Sequence, residues 1–129
     1  MNKKIILDAS ALLTLLHEEP GHEQVEKALP NAIISAVNVS EVIAVLTNIG
    51  ISFEEAENMA FEFVDEIIPF DAKQASEAAF LRKETKSYGL SFGDRACLSL
   101  TKLQHAEALT ADKTWGRLKL EGIKIHVIR

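Results

Sequence analysis

Four acidic residues lie at the edges of apolar segments along this chain of 129 residues. Two of them, Asp8 and Asp112, follow the strand-like runs KKIIL and EALTA. The other two, Glu41 and Asp94, fall in the first turns of helix-like runs. In an open α/β sheet the carboxyl ends of strands and the adjacent helix starts face one crevice. The four carboxylates are therefore predicted to converge, although they are far apart in sequence.

Carboxylates gathered in this way need a counter-charge. They would repel one another and raise some of their pKa values unless a cation held them. Mg²⁺ and Mn²⁺ favour carboxylate oxygens, and Mg²⁺ keeps several waters when it binds to a protein. The set therefore predicts a divalent metal site with oxygen ligands. The four histidines show no HExxH pattern or other metal-ligand spacing, which argues against zinc.

Each acid also has a simpler explanation as part of a helix cap. Asp8 would serve as the N-cap of the helix containing ALLTLL. Asn38 and Ser91 stand three residues before Glu41 and Asp94, which is the spacing of a capping box. The fourth acid would cap a short helix. What distinguishes the four is their shared placement, since most other acids fall on the polar faces of amphipathic helices.

The elements that must position these residues alternate along the chain. Strands are predicted at KIIL, AIISAV, IIPF, AEALTA and GIKIHVI, with roughly seven helices between and around them. One helix is predicted to open at Asn38 and to run to Gly50. Ser52 and Asp71 are predicted to cap the next two helices. The alternation predicts an α/β protein: a three-layer αβα sandwich around a short, mostly parallel sheet of four to five strands.

Composition indicates one soluble globular domain covering residues 1–129, with 47% hydrophobic and 26% charged residues. Cys97 is the only cysteine, so no intramolecular disulfide is possible, and its apolar setting predicts a buried side chain. The apolar run before Asp8 is too short for a signal-peptide core or a membrane span. The expected location is therefore the cytoplasm.

The net charge of −5 argues against a general nucleic-acid-binding surface. The charge is unevenly distributed, since residues 1–112 hold nine Lys and Arg against eighteen Asp and Glu. Residues 113–129 hold five basic side chains against one acid, Glu121. The basic residues are Lys113, Arg117, Lys119, Lys124 and Arg129. This stretch is interpreted either as a solvated edge or as a surface that contacts phosphates, and charge alone leaves both readings open.

The four motifs IILDASALL, SAVNVSEV, LSFGDRACLSL and LTADKTW together resemble those of PIN-domain proteins. The resemblance is closest to VapC-type toxins of bacterial type II toxin–antitoxin pairs, and it covers essentially the whole chain. It implies that Asp8, Glu41, Asp94 and Asp112 form the acidic, metal-binding catalytic set. Ser10 matches a small hydroxyl residue that follows the first acid in the family, and Thr110 matches a hydroxyl residue before the last.

This chain departs from some family members after Asp112, where a further acid is replaced by Lys113, Thr114 and Trp115. The number of bound metals, one or two, therefore stays open. Trp115 is interpreted as a packing residue, because a lone aromatic residue is more often part of the core.

The leading hypothesis is a Mg²⁺- or Mn²⁺-dependent endoribonuclease that hydrolyses RNA with a metal-activated water. Lys113, Arg117 and Lys119 are the candidates for contact with the RNA backbone. The resemblance further implies a cognate antitoxin and a homodimer. Apolar residues of the first helices and of residues 53–67, among them Phe61, Phe63 and Val64, would form either a groove for the antitoxin or ordinary core. The alternative function is a non-catalytic module on the same scaffold that only binds RNA or a protein.

Overall fold

The structure is a computed structural model that describes residues 3–128. Arg129 of the basic stretch lies outside the described residues. The strands are β1 (Ile5–Leu7), β2 (Ala32–Ser35), β3 (Glu66–Ile68), β4 (Glu107–Thr110) and β5 (Lys124–Val127). The α-helices are α1 (Ala9–Leu16), α2 (His22–Ala28), α3 (Ala36–Asn48), α4 (Phe53–Glu62), α5 (Ala72–Thr85) and α6 (Phe92–Leu103). Short 3₁₀ helices span Leu29–Asn31, Lys86–Tyr88 and Lys113–Arg117.

The five strands form one sheet in the order β3-β2-β1-β4-β5, and every neighbouring pair is parallel. Strand β1 lies at the centre, where Ile6 pairs with Ile33 of β2 on one side and with Ala108 of β4 on the other. The chain thus builds the sheet outward from β1 in one direction and then returns to build it in the other. The predicted α/β class and mostly parallel sheet are confirmed.

Alternate residues of the short strands enter two separate cores. Leu7, Ile34 and Leu109 pack with buried residues of helices α1 to α4. Their neighbours Ile6, Ile33 and Ala108 pack on the other side with α5, α6 and the wholly buried Trp115. Helices therefore cover both faces of the sheet, and the central strands are apolar on both sides. The three-layer αβα arrangement and the packing roles of Trp115 and Cys97 are confirmed.

The boundary between β2 and α3 differs from the prediction. The strand ends at Ser35, whose side chain caps α3 by accepting a hydrogen bond from the Val37 N–H at 3.1 Å. Asn38 therefore lies inside the first turn and does not cap the helix, so the predicted capping box of Asn38 and Glu41 is wrong. A short apolar run such as AIISAV reads equally as strand or as buried helix, so periodicity could not place this junction.

Other helix starts follow their predicted caps. Ser52 accepts a hydrogen bond from the Glu55 N–H at 3.2 Å, and Asp71 accepts one from the Gln74 N–H at 2.9 Å. These contacts satisfy backbone donors that the first turn of a helix would otherwise leave unpaired. Within residues 3–128, no helix combines the length and apolar character needed to cross a membrane.

Candidate active site

The four predicted acids come from four different parts of the sheet's carboxyl edge. Asp8 directly follows β1, and Asp112 follows β4, which is the neighbour of β1 in the sheet. Glu41 lies on α3, which follows β2, and Asp94 lies in the first turn of α6. The strand order reverses direction between β1 and β4, and open α/β sheets bind their ligands in the crevice at such a switch point. The acids therefore occupy the expected ligand-binding edge of this fold.

Asp8 is the most enclosed of the four, with an exposed fraction of 4%. Its Oδ1 caps α1 by accepting from the Ala11 N–H at 2.8 Å and also accepts from Ser10 Oγ at 2.7 Å. Thr110 Oγ1 donates to Oδ2 at 2.6 Å from the end of β4. Burial raises the pKa of Asp8 to about 6, against the opposing effect of these hydrogen bonds. Asp8 is thus held in one orientation from both strands of the switch point.

Ser10 orients this carboxylate and does not cap the helix. Besides donating to Asp8, its Oγ accepts from the Ala111 N–H at 2.9 Å and lies 3.2 Å from Thr110 Oγ1. The N-cap position belongs to Asp8 itself. The structure therefore supports an orienting role for Ser10, and it gives Thr110 the same role from the opposite side.

Glu41 is positioned by a contact between α3 and α6. The buried Asn38 donates from Nδ2 to Glu41 Oε1 at 2.7 Å and to the Gly93 carbonyl at 3.1 Å. Gly93 lies so close that a Cβ atom there would overlap the Glu41 carboxylate. Burial, together with the negative charge of Asp94, raises the pKa of Glu41.

Asp94 is electrostatically linked to each of the other three acids. Burial raises the pKa of Asp94, and the charge of Asp112 raises it further. The charge of Asp94 in turn raises the pKa values of Asp8 and Glu41. The thiol of Cys97, wholly buried one turn further along α6, also has its pKa raised by burial and by the charges of Asp8, Asp94 and Glu41. The four carboxylates therefore share one region of negative potential.

Asp94 and Asp112 also serve as the helix caps that their spacing predicts. Ser91 and Asp94 form a complete capping box, in which the Ser91 N–H donates to Asp94 Oδ2 at 2.9 Å. Asp112 Oδ1 accepts from the Thr114 N–H at 2.9 Å at the start of the Lys113–Arg117 turn. A capping role and a functional role do not exclude each other here, because one oxygen of each carboxylate has no hydrogen bond in the described part of the chain.

The donor set suits a hard divalent cation, since it consists of carboxylate and hydroxyl oxygens. Among residues 3–128, however, no three Asp, Glu, His or Cys side chains stand close enough together to hold one ion. Asp8 is fixed by its hydrogen bonds, whereas Glu41, Asp94 and Asp112 each keep one oxygen that accepts no hydrogen bond from residues 3–128. Holding a single ion with three of them therefore requires side-chain rotation toward a common point. The residues fit a metal by chemistry and by charge.

The three predicted RNA-contact residues fall into two groups. Lys113 and Arg117 are exposed on the 3₁₀ turn that follows Asp112. Lys119 instead lines a cavity of about 580 Å³ together with Phe80, Glu84 and other residues, and none of the four acids lines this cavity. Lys113 and Arg117 thus belong to the turn that Asp112 caps, whereas Lys119 belongs to a cavity that the acids do not line.

The residues predicted to form the partner groove also differ in their exposure. Val64 is buried in the core, whereas Phe61 and Phe63 are 49% and 41% exposed. Phe61 lines an apolar groove of about 470 Å³ between α3 and α4. The other lining residues are Ala36, Val39, Ser40, Ile43, Ala44, Thr47, Phe53 and Ile67. Interpreting these positions as ordinary core is therefore correct for Val64 and wrong for the two phenylalanines.

Asn38 is a site residue that sequence reasoning assigned a different role. Its amide connects Glu41 to the backbone of α6, although Asn38 and Gly93 are 55 positions apart in sequence. Its Oδ1 is buried and has no hydrogen-bond partner within the described residues. The sequence signal for this role was an asparagine on the inward face of an otherwise apolar helix. A buried amide usually makes hydrogen bonds, so such a residue indicates a polar partner in the core.

Comparison with known proteins places this geometry in a family. The family model of the PIN domain matches residues 5–120. A search of curated proteins found no match.

Several solved structures share the fold over nearly the whole chain. In the DNA-bound VapBC of Salmonella typhimurium, the matched chain has 17% identity and a TM-score of 0.75, with 99% of this chain and 100% of that chain covered. VapBC2 of Rickettsia felis, bound to a promoter DNA fragment, gives 18% identity, a TM-score of 0.74 and coverages of 97% and 98%. A toxin–antitoxin complex of Klebsiella pneumoniae gives 22% identity and a TM-score of 0.70, with 93% of this chain and 95% of that chain covered. With the family model matching most of its length, the chain belongs to the PIN-domain family.

Proposed function

We propose that this PIN-domain chain is a metal-dependent endoribonuclease and the VapC-type toxin of a type II toxin–antitoxin pair. The observation that carries the proposal is the placement of four carboxylates from separate segments at the switch point of the sheet, where the charge of Asp94 raises the pKa values of Asp8 and Glu41. Such a concentration of negative charge opposes folding and RNA binding unless a cation offsets it. A sheet edge with a purely structural role would gain nothing from this concentration of negative charge.

Asp8, Glu41, Asp94 and Asp112 would hold Mg²⁺ or Mn²⁺, which when bound supplies a water of lowered pKa and offsets the charge of the phosphodiester. The protein's own contribution is to orient these ligands. Ser10 and Thr110 hold both oxygens of Asp8, and Asn38 holds Glu41 against α6. Hydrogen bonds of this kind fix ligand orientation, and their loss typically costs about 10- to 100-fold in affinity or activity.

Lys113 and Arg117 would contact the phosphates that flank the cleaved bond. Both are exposed on the 3₁₀ turn that Asp112 caps, so they are the basic side chains placed to meet a substrate strand at the acidic edge. Contacts of this type are electrostatic and independent of sequence, and added salt weakens them. Lys119 is a weaker candidate, because it lines the separate cavity beside Phe80.

The test is RNA cleavage by the purified chain with Mn²⁺, compared with EDTA and with Asp8→Asn. We expect EDTA to abolish cleavage and Asp8→Asn to reduce it by at least about a hundredfold, since even supporting residues reach that magnitude. The matched control is Asp71→Asn, because Asp71 caps α5 in the way that Asp8 caps α1 but does not belong to the acidic set. Undiminished cleavage in EDTA or in Asp8→Asn would refute metal-carboxylate catalysis.

The partner of the proposed toxin is an antitoxin that covers the α3–α4 groove. The solved structures with this fold include toxin–antitoxin complexes, and the groove exposes Phe53 and Phe61 around an apolar floor. An amphipathic helix lays its apolar face into such grooves. We also propose a homodimer. Size measurement of the chain alone and after co-expression with the product of an adjacent gene tests both proposals.

The second candidate function is a non-catalytic module that binds RNA or a protein. The partly buried Glu41 favours the nuclease, because it caps no helix and its charge carries a cost that a module without metal chemistry does not need. Calorimetric titration with Mn²⁺ in the presence of RNA discriminates the two. Heat that is lost in Asp8→Asn supports the metal site, whereas no heat from the unmodified chain supports the binding module.

A further inference from the structure

An exposed aromatic residue stands at the start of α6, beside the acidic set. Phe92 is the first residue of this helix and is 49% exposed. Its ring meets that of Phe70 edge to face, with centroids 5.3 Å apart and an interplanar angle of 79°. The guanidinium of Arg95 lies over the Phe92 ring, 5.7 Å from its centroid. The ring is therefore supported at its edge and by a cation while half of the residue stays open to solvent.

The sheet order places this aromatic pair at one end of the acidic edge. Phe70 follows β3, and Phe92 immediately precedes Gly93, whose backbone lies against the Glu41 carboxylate. Strands β2 and β1 separate β3 from β4, after which Asp112 and Lys113 follow. An extended strand lying along the carboxyl edge would run from Phe92, past the four acids, to Lys113.

The chemistry of the edge favours a nucleobase as the occupant at Phe92. Four carboxylates repel phosphates, so affinity for RNA near them has to come from bound cations or from uncharged contacts. Aromatic rings stack with bases, and this contact tolerates any sequence because every base has a π-face. Arg95 holds the ring in place through a cation–π contact and adds positive charge beside it.

We propose that Phe92 is a stacking platform for an unpaired base of the RNA substrate and positions a single strand across the acidic edge. The inference rests on the proposed function and adds to it a residue that positions the substrate, since an unpaired base can stack on an exposed ring whereas a paired base in a duplex is held in its own stack. Phe92 acts as a positioning residue, and the carboxylates retain the chemistry.

A solitary exposed phenylalanine needs no functional explanation by itself, so a matched control is required. Phe80 supplies it. This residue is 63% exposed and has a cation over its ring, with Lys102 Nζ 5.1 Å from the centroid. It lines the cavity with Lys119, which none of the four acids lines. The two residues therefore share exposure and cation but differ in their relation to the acidic edge.

The experiment measures binding of a short single-stranded oligoribonucleotide containing 2-aminopurine, whose fluorescence reports stacking, to Asp8→Asn protein without added metal, so that neither cleavage nor metal binding enters the comparison. Adding Phe92→Ala is expected to weaken binding about tenfold. Phe92→Leu keeps the apolar volume and should bind as weakly as the alanine variant, whereas Phe92→Trp should bind at least as well as phenylalanine. Phe80→Ala should stay within about twofold, and duplex RNA should not distinguish Phe92 from alanine.

A second readout uses protein with an intact Asp8. Phe92→Ala should raise KM about tenfold on single-stranded RNA and change kcat little, because stacking acts on ground and transition states alike. Thermal unfolding of each variant checks folding, and the comparison of leucine with tryptophan carries the test if the alanine variant is unstable.

The proposal is overturned if leucine and tryptophan bind equally, if Phe80→Ala loses as much affinity as Phe92→Ala, or if Phe92→Ala weakens self-association or antitoxin binding and leaves RNA binding unchanged. Failure of the proposed function looks different. In that case Asp8→Asn or EDTA leaves cleavage intact, or no RNA is cleaved, whatever residue occupies position 92.

Discussion

The acidic edge and the apolar groove use different faces of the same helix, α3, and they are built in opposite ways. On one face, Asn38 donates hydrogen bonds to Glu41 on the same helix and to the Gly93 carbonyl of α6. On the other, Ile43 and Ala44 line a groove whose phenylalanines, Phe53 and Phe61, stand exposed. The first surface holds charge in a partly buried setting, where hydrogen bonds orient Asp8 and Glu41. The second exposes apolar area that a partner would cover.

The difference separates two kinds of functional surface. Buried carboxylates of like charge carry an electrostatic cost in the free protein, and a bound cation removes that cost. An apolar groove costs the folded chain little, because the same side chains would be exposed in the unfolded state. Substitutions at the edge should therefore change stability and activity together, whereas substitutions in the groove should change only partner binding. The following variants test this contrast.

The largest effect is expected for Gly93→Ala. The added Cβ would overlap the Glu41 carboxylate and displace it. Because a misplacement of about 1 Å can cost about a hundredfold in rate, we expect a loss of cleavage of that order. Overpacking should also lower the free energy of unfolding by about 1–3 kcal/mol. RNA cleavage and chemical denaturation measure the two effects.

Gly116→Ala is the matched control for Gly93→Ala. A Cβ atom there would lie 3.6 Å from Val127 Cγ2, which is an ordinary van der Waals contact. We expect nearly unchanged stability and cleavage in this variant. If both alanine variants behave alike, the close fit of Gly93 against Glu41 has no functional meaning.

The next effect is the pH dependence of stability in the metal-free protein. Burial raises the pKa of Asp8 to about 6 in the folded state, against a usual value of 3.8. The folded state therefore binds the proton more tightly than the unfolded state, so stability falls as pH rises from about 4 through about 6. The shift corresponds to about 3 kcal/mol. Urea denaturation in EDTA at several pH values measures it.

Asp8→Asn isolates this contribution, because asparagine keeps the shape and does not titrate. As pH rises from about 4 through about 6, the free energy of unfolding should fall less in the variant, and the difference should equal the contribution of Asp8. At pH 7.5 the variant should be more stable than the unmodified chain, whereas its cleavage is lost. Parallel pH curves for both proteins would show that the burial of Asp8 has no electrostatic cost.

Asn38→Ala should have a smaller effect, of about 2 kcal/mol on the free energy of unfolding, because it leaves the buried Gly93 carbonyl without this donor. It also frees Glu41, so cleavage should fall about tenfold. Thr47→Ala is the control, since Thr47 makes an exposed hydrogen bond to Ala44 O on the same helix. Equal effects of the two substitutions would contradict the positioning role of Asn38.

The smallest effect on the isolated chain is expected for Phe61→Asp in the groove. Phe61 is half exposed, so the free energy of unfolding should change by no more than about 0.5 kcal/mol and cleavage should be unchanged. Affinity for the antitoxin should nevertheless fall about a hundredfold, as for a central aromatic contact. Titration calorimetry with the purified antitoxin measures this, and Phe80→Asp is the control. An unchanged affinity would remove the groove from the proposed interface.

The helix caps and the alternation of strands and helices could be predicted from the sequence alone. Asp8, Asp71, Ser52, the Ser91–Asp94 box and Asp112 all cap the helices predicted for them, because a cap is decided by residues within one turn. Alternating strands and helices indicated a parallel sheet covered on both faces. The positions of Asp8 and Asp112 after strands and of Asp94 at a helix start followed from the same local patterns, whereas Glu41 lies in the second turn of α3 and not in the predicted first turn.

Contacts between distant segments could not be read in this way. The order of the strands, the bridge from Asn38 to Gly93, the two hydroxyls on Asp8 and the exposure of Phe61 and Phe92 all depend on which elements pack together. Periodicity assigns a residue to a face of its own helix or strand and leaves open what that face meets. Because Glu41 owes its position to α6 and not to a cap of its own helix, its setting emerges only from the packing of the folded chain.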